Sequence, residues 1–269
     1  MTGALESALP FVAAMALCAL RWMPAMVLVP VFAGHALGGM ARTVIALALA
    51  LPITPGVAAA LASAPMSAVD WIAVAGKETA LGIVIACLVA VPFWAIEAAG
   101  TYFDYQRGGN PQAIDPAASI DASVLGAMLQ QALVVLLIHT GGLSGLFDIV
   151  WTSYAVWPAL TPLPPLGPQA WGPVCDLLVS MMRFALTLAA PYLLALGAIE
   201  ASFALLSRVN AKFPAYAAAL PFKSVALLLL IALTIPGLLN AAADTAAEHF
   251  ADVQQRMRNA APDRMSVRP

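Results

Sequence analysis

Six long apolar stretches dominate this sequence and restrict what it can fold into. They cover roughly Leu9–Phe32, Thr43–Ala62, Thr79–Ile96, Val124–Phe147, Leu177–Ile199 and Val225–Ala243. Each is close to the ~20 residues that a helix needs to cross a bilayer. Strands would need shorter, alternating runs, and in lipid only helices or closed barrels satisfy their own backbone groups. The sequence therefore predicts an all-α integral membrane protein with about six apolar helices.

The composition supports a membrane protein and argues against several other classes. Of the 269 residues, 62% are hydrophobic and 10% are charged, whereas soluble domains contain about 25% charged residues. The net charge of −2 provides no basic field for nucleic acid. His35, His139 and His249 are too far apart to form a zinc-protease helix motif. We therefore expect no catalytic residue, no cofactor and no metal site, and we expect lipid rather than nucleic acid as a partner.

Prolines interrupt most of the apolar stretches. They are Pro24 and Pro30 in the first, Pro52 and Pro55 in the second, Pro92 in the third, Pro191 in the fifth and Pro236 in the sixth. A proline inside a helix removes a backbone donor and tends to kink the helix. Two interpretations are open: ordinary kinked membrane helices, or kinked helical hairpins that pack against other subunits.

In the first half of the chain, polar residues are most concentrated between Pro92 and Ser123. Spacings of three or four residues place four of them on one side of a helix: Glu97, Gly100, Asp104 and Arg107. Helix-stop residues follow, and a loop then continues to Ser123: Gly108, Gly109, Asn110 and Pro111, then Asp115 and Pro116. We predict that one helix ends at these glycines and that another begins at Val124.

Single charged residues also interrupt two of the apolar stretches. Arg183, in the fifth stretch, shares a polar stripe with Asp176, Ser180 and Thr187. Arg21, in the first stretch, has no partner that the sequence makes visible. Charges within membrane helices are costly and usually face a partner or water. We therefore expect a functional or assembly role for Arg183.

The segment between the last two apolar stretches has its own charged residues. Glu200 and Arg208 are two helical turns apart, and Lys223 follows Pro221 and Phe222. Because proline favours helix ends, we predict that Pro214 ends one helix and that Pro221 opens the next. Glu200, Arg208 and Lys223 would then lie at the turn of the last hairpin.

The apolar pattern predicts one membrane domain, from residue 1 to about residue 245. The remaining residues, 246–269, form a mixed-charge tail that we expect to be a short helix fraying towards its end. If all six helices cross the bilayer, the lysines and arginines divide equally between the two sides. The positive-inside rule therefore predicts no orientation.

Two other functional classes have some features in their favour. Gly142-Leu143-Ser144-Gly145 resembles the serine motif of rhomboid intramembrane proteases. A catalytic dyad needs a histidine next to that serine, and the only later histidine is His249 in the polar tail. A small secondary transporter would use broken helices and buried charges, but no matching pair of interrupted helices marks two inverted halves.

Several motifs together resemble one known family. The chain is similar to the T component of the type III secretion export apparatus, a family related to the flagellar export protein FliR. The motifs that carry the resemblance are Pro92-Phe93-Trp94-Ala95-Ile96-Glu97, Gly100, Asp104, Gln106-Arg107-Gly108, Asp115-Pro116, Ser153-Tyr154, Trp157-Pro158, Glu200 ahead of Arg208, and Pro221-Phe222-Lys223-Ser224. The resemblance covers about residues 5–245.

The resemblance implies a structural role rather than an enzymatic one. One T subunit would join R- and S-type subunits in the export gate, with a U-type subunit on the cytoplasmic side and inner rod or needle proteins beyond it. Unfolded secreted proteins would pass through the portal. Residues up to about 174 would be R-like and residues 175–245 an S-like hairpin. The complex would sit in the bacterial inner membrane, lifted towards the periplasm. A flagellar export role and a small transporter remain the alternatives.

Within this interpretation, certain charged and loop residues are candidates for function. We expect subunit interfaces or ion pairs at Glu97, Asp104, Arg107, Arg183, Glu200, Arg208 and Lys223. An alternative for Asp104 and Arg107 is a solvated helix end closed by their own pair. We expect a channel plug at Gly108, Gly109, Asn110, Pro111, Asp115 and Pro116, because glycine and proline favour a pliable loop.

Overall fold

The computed structural model describes residues 2–33, 37–63, 66–108, 123–161, 172–210 and 214–259. These residues form helices α1 (Thr2–Leu28), α2 (Pro30–Ala33), α3 (Gly39–Ala50), α4 (Thr54–Ser63), α5 (Ala68–Gln106), α6 (Val124–Thr140), α7 (Ser144–Val156), α8 (Gly172–Val209) and α9 (Ala215–Asn259). No strand occurs in these ranges. The predicted all-α fold class is confirmed.

The helices are long and apolar enough for a multi-pass membrane protein. Four of those described could each cross a membrane, within α1, α5, α8 and α9. Two bent pairs raise the number to six if each pair is one span: α3 with α4, bent by 73°, and α6 with α7, bent by 79°. The predicted six apolar stretches therefore correspond to four single helices and two broken ones.

The two bends have local causes in the sequence. Leu51–Ile53 separates α3 from α4 and contains Pro52, which cannot donate a backbone hydrogen bond. Gly141 follows the last residue of α6 and adopts a left-handed conformation, with φ of 76°. Glycine reaches this conformation without a side-chain clash, so the chain can turn sharply into α7.

Side-chain caps explain where two of the helices begin. Ser67 and Asp70 form a reciprocal capping box at the start of α5: the Ser67 backbone N–H donates to the Asp70 carboxylate, and the Asp70 N–H donates to the Ser67 hydroxyl. At the start of α6, the Ser123 hydroxyl accepts from the Gly126 N–H at 2.8 Å. The predicted start of a helix at Val124 is confirmed.

The last helix differs from the sequence prediction at its beginning. α9 begins at Ala215 and contains Pro221, so the prediction that Pro221 opens the helix is wrong. Six residues precede this proline within α9, and a helical proline is tolerated where the surroundings satisfy the freed carbonyl. At its other end α9 continues to Asn259, through the first part of the segment predicted as a tail.

The described residues form two compact units, each assembled from separate parts of the chain. The first unit takes its residues from Met1–Ala90, Leu143–Leu177 and Glu248–Pro269. Within it, α3 and α4 pack against α1. The Trp22 side chain is fully buried, with its ring centroid 6.3 Å from that of Phe147 and 6.1 Å from that of Trp151.

The second unit takes its residues from Val91–Gly142 and Leu178–Ala247. Its core is formed by large apolar side chains of α5, α6 and α8, among them Phe93, Phe103, Leu133 and Leu196. The Phe103 ring lies 4.7 Å from that of Tyr192, centroid to centroid. Aromatic pairs at this distance add to the stabilisation that burial itself provides.

Candidate functional site

A fully enclosed charged group of the first unit is Arg21, on α1. Its side chain forms a two-pronged ion pair with Glu78 of α5, with Nε 2.7 Å from Oε2 and Nη2 2.9 Å from Oε1. Arg21 is 1% exposed and Glu78 is 0% exposed. A guanidinium and a carboxylate match each other in this geometry, which makes the pair both strong and directional.

The remaining donors of Arg21 bind the end of α7. Its Nη1 donates to the Ser153 hydroxyl and its Nη2 to the Trp157 carbonyl oxygen, each at 2.9 Å. The guanidinium carbon also lies 3.9 Å from the centre of the Tyr154 ring, and the Tyr154 hydroxyl donates to the Cys18 carbonyl at 2.6 Å. One arginine thus joins α1, α5 and α7 within this unit.

Lys77 extends this network to the residues that follow α7. Its ammonium group pairs with the Glu78 carboxylate at 2.9 Å and donates to the carbonyls of Pro158, Ala159 and Thr161, all within 3.2 Å. These carbonyls face a cation that is nearly enclosed by protein. We name Arg21, Lys77, Glu78, Ser153 and Tyr154 the Arg21 cluster.

The Arg21 cluster contains two cations and one carboxylate, all buried. The excess positive charge is surrounded by backbone carbonyl oxygens, which carry partial negative charge. Removing one partner of a buried ion pair typically costs about 3–5 kcal/mol, because the other charge remains without compensation. The cluster therefore makes the packing of α1, α5 and α7 strongly dependent on each member.

This cluster is not apparent from the sequence. Arg21 has no visible partner there, and Ser153-Tyr154 and Trp157-Pro158 stand out only through the family resemblance. Lys77 and Glu78 are not among the predicted site residues. A usable signal was present: two adjacent charges directly before an apolar stretch, in a chain with only 10% charged residues.

A glycine next to the cluster lets two helices approach closely. A Cβ at Gly82 of α5 would lie 2.5 Å from the Arg21 carbonyl oxygen and 3.0 Å from the Arg21 Cα. Atoms of this kind cannot approach so closely, so any side chain would push α5 away from α1. The close approach keeps Glu78, one turn earlier on α5, within reach of Arg21.

In the second unit, Asp104 connects the end of α5 with the start of α6. Its Oδ1 pairs with Arg107, at 2.6 Å from Nη2 and 2.8 Å from Nε. Its Oδ2 accepts from the Ser123 hydroxyl at 2.6 Å and from the Leu125 backbone N–H at 3.0 Å. Asp104 is 4% exposed. We name Asp104, Arg107 and Ser123 the Asp104 cluster.

This arrangement combines parts of both interpretations of Asp104 and Arg107 in the sequence. The two side chains do pair with each other at a spacing of three, but Asp104 is buried rather than solvated. Glu97, two stripe positions before Asp104, accepts a hydrogen bond from the side-chain amide of Gln130. Among the described residues, Glu97 has no ion-pair partner. A role for these residues at a subunit interface stays a prediction.

Two glycines bring α5 and α6 together beside the Asp104 cluster. A Cβ at Gly100 would lie 2.5 Å from the Gly126 Cα, and one at Gly126 would lie 2.7 Å from the Glu97 carbonyl oxygen. The backbones therefore touch directly, as small residues allow in membrane helices. Gly100 was selected from the sequence for its position on the polar stripe, and the structure gives it a packing role.

Lys223 of α9 is enclosed by protein and bound from two sides. Its ammonium lies 2.6 Å from the Glu200 carboxylate of α8 and 3.2 Å from the carbonyl oxygen of Gln106, the last residue of α5. Lys223 is 2% exposed, whereas the Glu200 side chain is 45% exposed. A cation at a helix C-terminus also interacts favourably with the helix dipole.

For the remaining candidates from the sequence, the structure shows few contacts that would indicate a role. Arg183 and Arg208 are exposed on α8, and neither has an ion-pair partner in the described part of the chain. Gly108 has φ of 85°, a conformation that suits glycine, and it is the second residue after Gln106, the last residue of α5. The other plug candidates lie outside the described residues: Gly109, Asn110, Pro111, Asp115 and Pro116.

The chemistry of these clusters is structural. Their carboxylates accept from arginine, from lysine, from the Ser123 hydroxyl and from the Leu125 backbone N–H. Within the described ranges, no group of three or more His, Cys, Asp or Glu side chains could hold a metal ion. The arrangement can fix helices against one another.

Comparison with known proteins gives a consistent result. Residues 12–249 match the family described as "Bacterial export proteins, family 1". The chain is 32% identical to the "Yop proteins translocation protein T" of Yersinia pestis over 217 residues, which is 78% of this chain and 82% of the relative. It is 31% identical over 222 residues to the "Surface presentation of antigens protein SpaR" of Salmonella typhimurium, which is 82% of each chain.

Proposed function

Because this chain belongs to family 1 of the bacterial export proteins, we propose that it is a structural channel subunit of a type III secretion export gate. The observation that carries the proposal is the family match over residues 12–249, supported by relatives whose names refer to translocation of Yop proteins and to surface presentation of antigens. The subunit would form, with R- and S-type subunits, the portal for unfolded secreted proteins. Its work would be to shape a passage rather than to catalyse a reaction.

The exposed surface of the helices fits a subunit that other chains complete. In the most apolar 18-residue stretch of α9 only 17% of the stretch is buried, whereas 56% of the corresponding stretch of α5 is buried. Large apolar side chains of α9 are more than half exposed, including Phe222, Val225 and Leu229. In a membrane these faces meet lipid or neighbouring helices. We propose that part of this surface packs against the S-type subunit.

The proposed assembly has one copy of this chain. It would contact R-, S- and U-type subunits and the inner rod or needle proteins, in the bacterial inner membrane. Arg183 and Arg208 are exposed on the apolar helix α8. Carboxylates of partner subunits or lipid phosphates would neutralise their positive charge. Glu97, Glu200 and Arg107 are partly exposed and could extend their present contacts to neighbours.

Copurification from mild detergent tests the proposal most directly. A tagged version of the chain should bring down several different small membrane proteins in fixed proportion. A self-contained transporter would instead come out alone or as a homo-oligomer. Secretion should stop when the gene is deleted and return when it is restored. Recovery of the chain alone, together with normal secretion in the deletion strain, would reject the proposal.

We also propose that the segment 108–123 acts as a plug in the channel. It begins at Gly108, whose φ of 85° suits glycine, and ends at Ser123, whose hydroxyl donates to Asp104. Shortening the segment should allow small dyes to leak through assembled complexes. Absence of a leak, with the complex shown to be intact, would reject this role.

A further inference from the structure

α5 contains a proline whose missing hydrogen bond has a consequence elsewhere. In an α-helix, the N–H of residue i donates to the carbonyl of residue i−4, so position 92 would normally serve the Leu88 carbonyl. Pro92 lies inside α5 and has no N–H. The Leu88 oxygen therefore lacks the donor that position 92 provides in a regular α-helix. A buried carbonyl without a donor is costly, and more so where water is excluded.

The side chain of His249 occupies the position where that donor is needed. Its Nε2 atom lies 2.8 Å from the Leu88 carbonyl oxygen. A carbonyl oxygen only accepts hydrogen bonds, so Nε2 carries the hydrogen in this contact. His249 belongs to α9, 161 residues further along the chain.

The surroundings of His249 show that its position is well fixed. Phe250, Val253 and Met257 follow it on α9 at helical spacing, and all three are at least 93% buried. A Cβ at Gly145 of α7 would lie 3.2 Å from the Phe250 Cβ, so α7 and α9 are in close contact there. This part of α9 is therefore a packed amphipathic helix, and the packing holds the imidazole against α5.

We propose that His249 replaces the backbone donor that Pro92 removes from α5. The imidazole is a positioning residue: it satisfies the Leu88 carbonyl and so keeps α5 a continuous helix across its proline. The segment after residue 245, expected from the sequence to be a polar tail, thereby acquires a specific partner. His249 thus serves a carbonyl of its own unit that lies 161 residues earlier in the sequence.

A double-mutant cycle tests this pairing, with thermal unfolding of the purified detergent-solubilised chain as the measurement. His249→Phe keeps a ring of similar volume but has no donor, and it should lower Tm by about 3–8 °C. Pro92→Ala restores the N–H of position 92, which can then donate to Leu88. In the Pro92→Ala background, His249→Phe should lower Tm by less than half as much.

His139→Phe is the matched control, because His139 is an exposed histidine on α6. It should leave Tm within about 1 °C of the original value. The proposal is overturned if His249→Phe leaves Tm unchanged, since the ring would then only fill space. It is equally overturned if His249→Phe lowers Tm by the same amount with proline and with alanine at position 92. Should Pro92→Ala fail to fold, a Tm of His249→Phe equal to that of His139→Phe still overturns the proposal.

Discussion

The Arg21 cluster and the Asp104 cluster use similar side chains for different purposes. In the first, Arg21 binds groups that are 57 and 132 residues away, and every charge is enclosed. In the second, Asp104 binds groups that are 3, 19 and 21 residues away, and the Arg107 side chain is 29% exposed. The first joins distant helices, whereas the second caps helices where the chain reverses.

This difference shows how burial, rather than residue type, decides the energetic role of an ion pair. A partly exposed pair such as Asp104 with Arg107 competes with water, so the pair itself contributes little. A fully enclosed carboxylate such as Glu78 cannot be solvated when its partners are lost. We therefore expect substitutions in the Arg21 cluster to be the more damaging ones.

The largest effect should follow from Glu78→Ala. This change leaves Arg21 and Lys77 buried with no carboxylate, and it should lower the free energy of unfolding by about 3–5 kcal/mol. The measurement is thermal unfolding in detergent, together with the yield of folded protein. Glu248→Ala, which removes an exposed carboxylate of the same unit, is the control and should change little. Equal behaviour of the two variants would contradict the importance given to the Arg21 cluster.

Glycine-to-alanine substitutions along α5 should compare the two regions directly. Gly82→Ala and Gly100→Ala each force a Cβ against backbone 2.5 Å away, and each should cost about 1–3 kcal/mol. Gly76→Ala places its Cβ in open space on the same helix, and it should stabilise the protein by about 0.5–1 kcal/mol. Unfolding measurements on the three variants check both signs. A neutral Gly82→Ala would contradict the close approach of α5 to α1. A destabilised Gly76→Ala would contradict the open space around that position.

Ser123→Ala should have a moderate effect. It removes the side-chain cap of α6 and one of the hydrogen bonds to Asp104, and we expect a loss of about 0.5–2 kcal/mol. Ser202→Ala is a suitable control, because that hydroxyl is exposed and only bonds a carbonyl of its own helix. Unfolding of the two variants is the measurement. A loss for Ser123→Ala as large as that for Glu78→Ala would remove the distinction between capping and buried pairing.

The smallest effect on stability should come from Arg183→Ala. Arg183 is exposed and lies outside both clusters, so the free energy of unfolding should stay within about 0.5 kcal/mol of the original. If Arg183 contacts other subunits, as we propose, copurification of those subunits should fall while the isolated chain stays folded. Unchanged copurification would remove Arg183 from the proposed interface.

The sequence was most informative where a local signal decides the structure. Apolar length predicted the membrane helices, and Gly108 and Ser123 correctly indicated where α5 ends and α6 begins. The spacing of three also predicted that Asp104 and Arg107 lie on the same side, and the two side chains do pair. These results depend on contacts between residues close in sequence, which periodicity and capping chemistry can reveal.

The sequence was least informative where distant segments meet. The partner of Arg21 is 57 residues away, and its other contacts are with α7, so no spacing rule could select them. Similarly, the start of α9 before Pro221 was missed, because a proline preceded by a short apolar run resembles a helix start. Tertiary packing overrides local preference in such cases.

The ion pair between Arg21 and Glu78 has a consequence for the synthesis of the protein. An arginine near the middle of an isolated membrane helix disfavours insertion by about 2.5–3.5 kcal/mol. Its carboxylate lies on a helix that leaves the ribosome 57 residues later. Stable insertion of the first helix should therefore wait for α5, and the two helices should partition into the bilayer together.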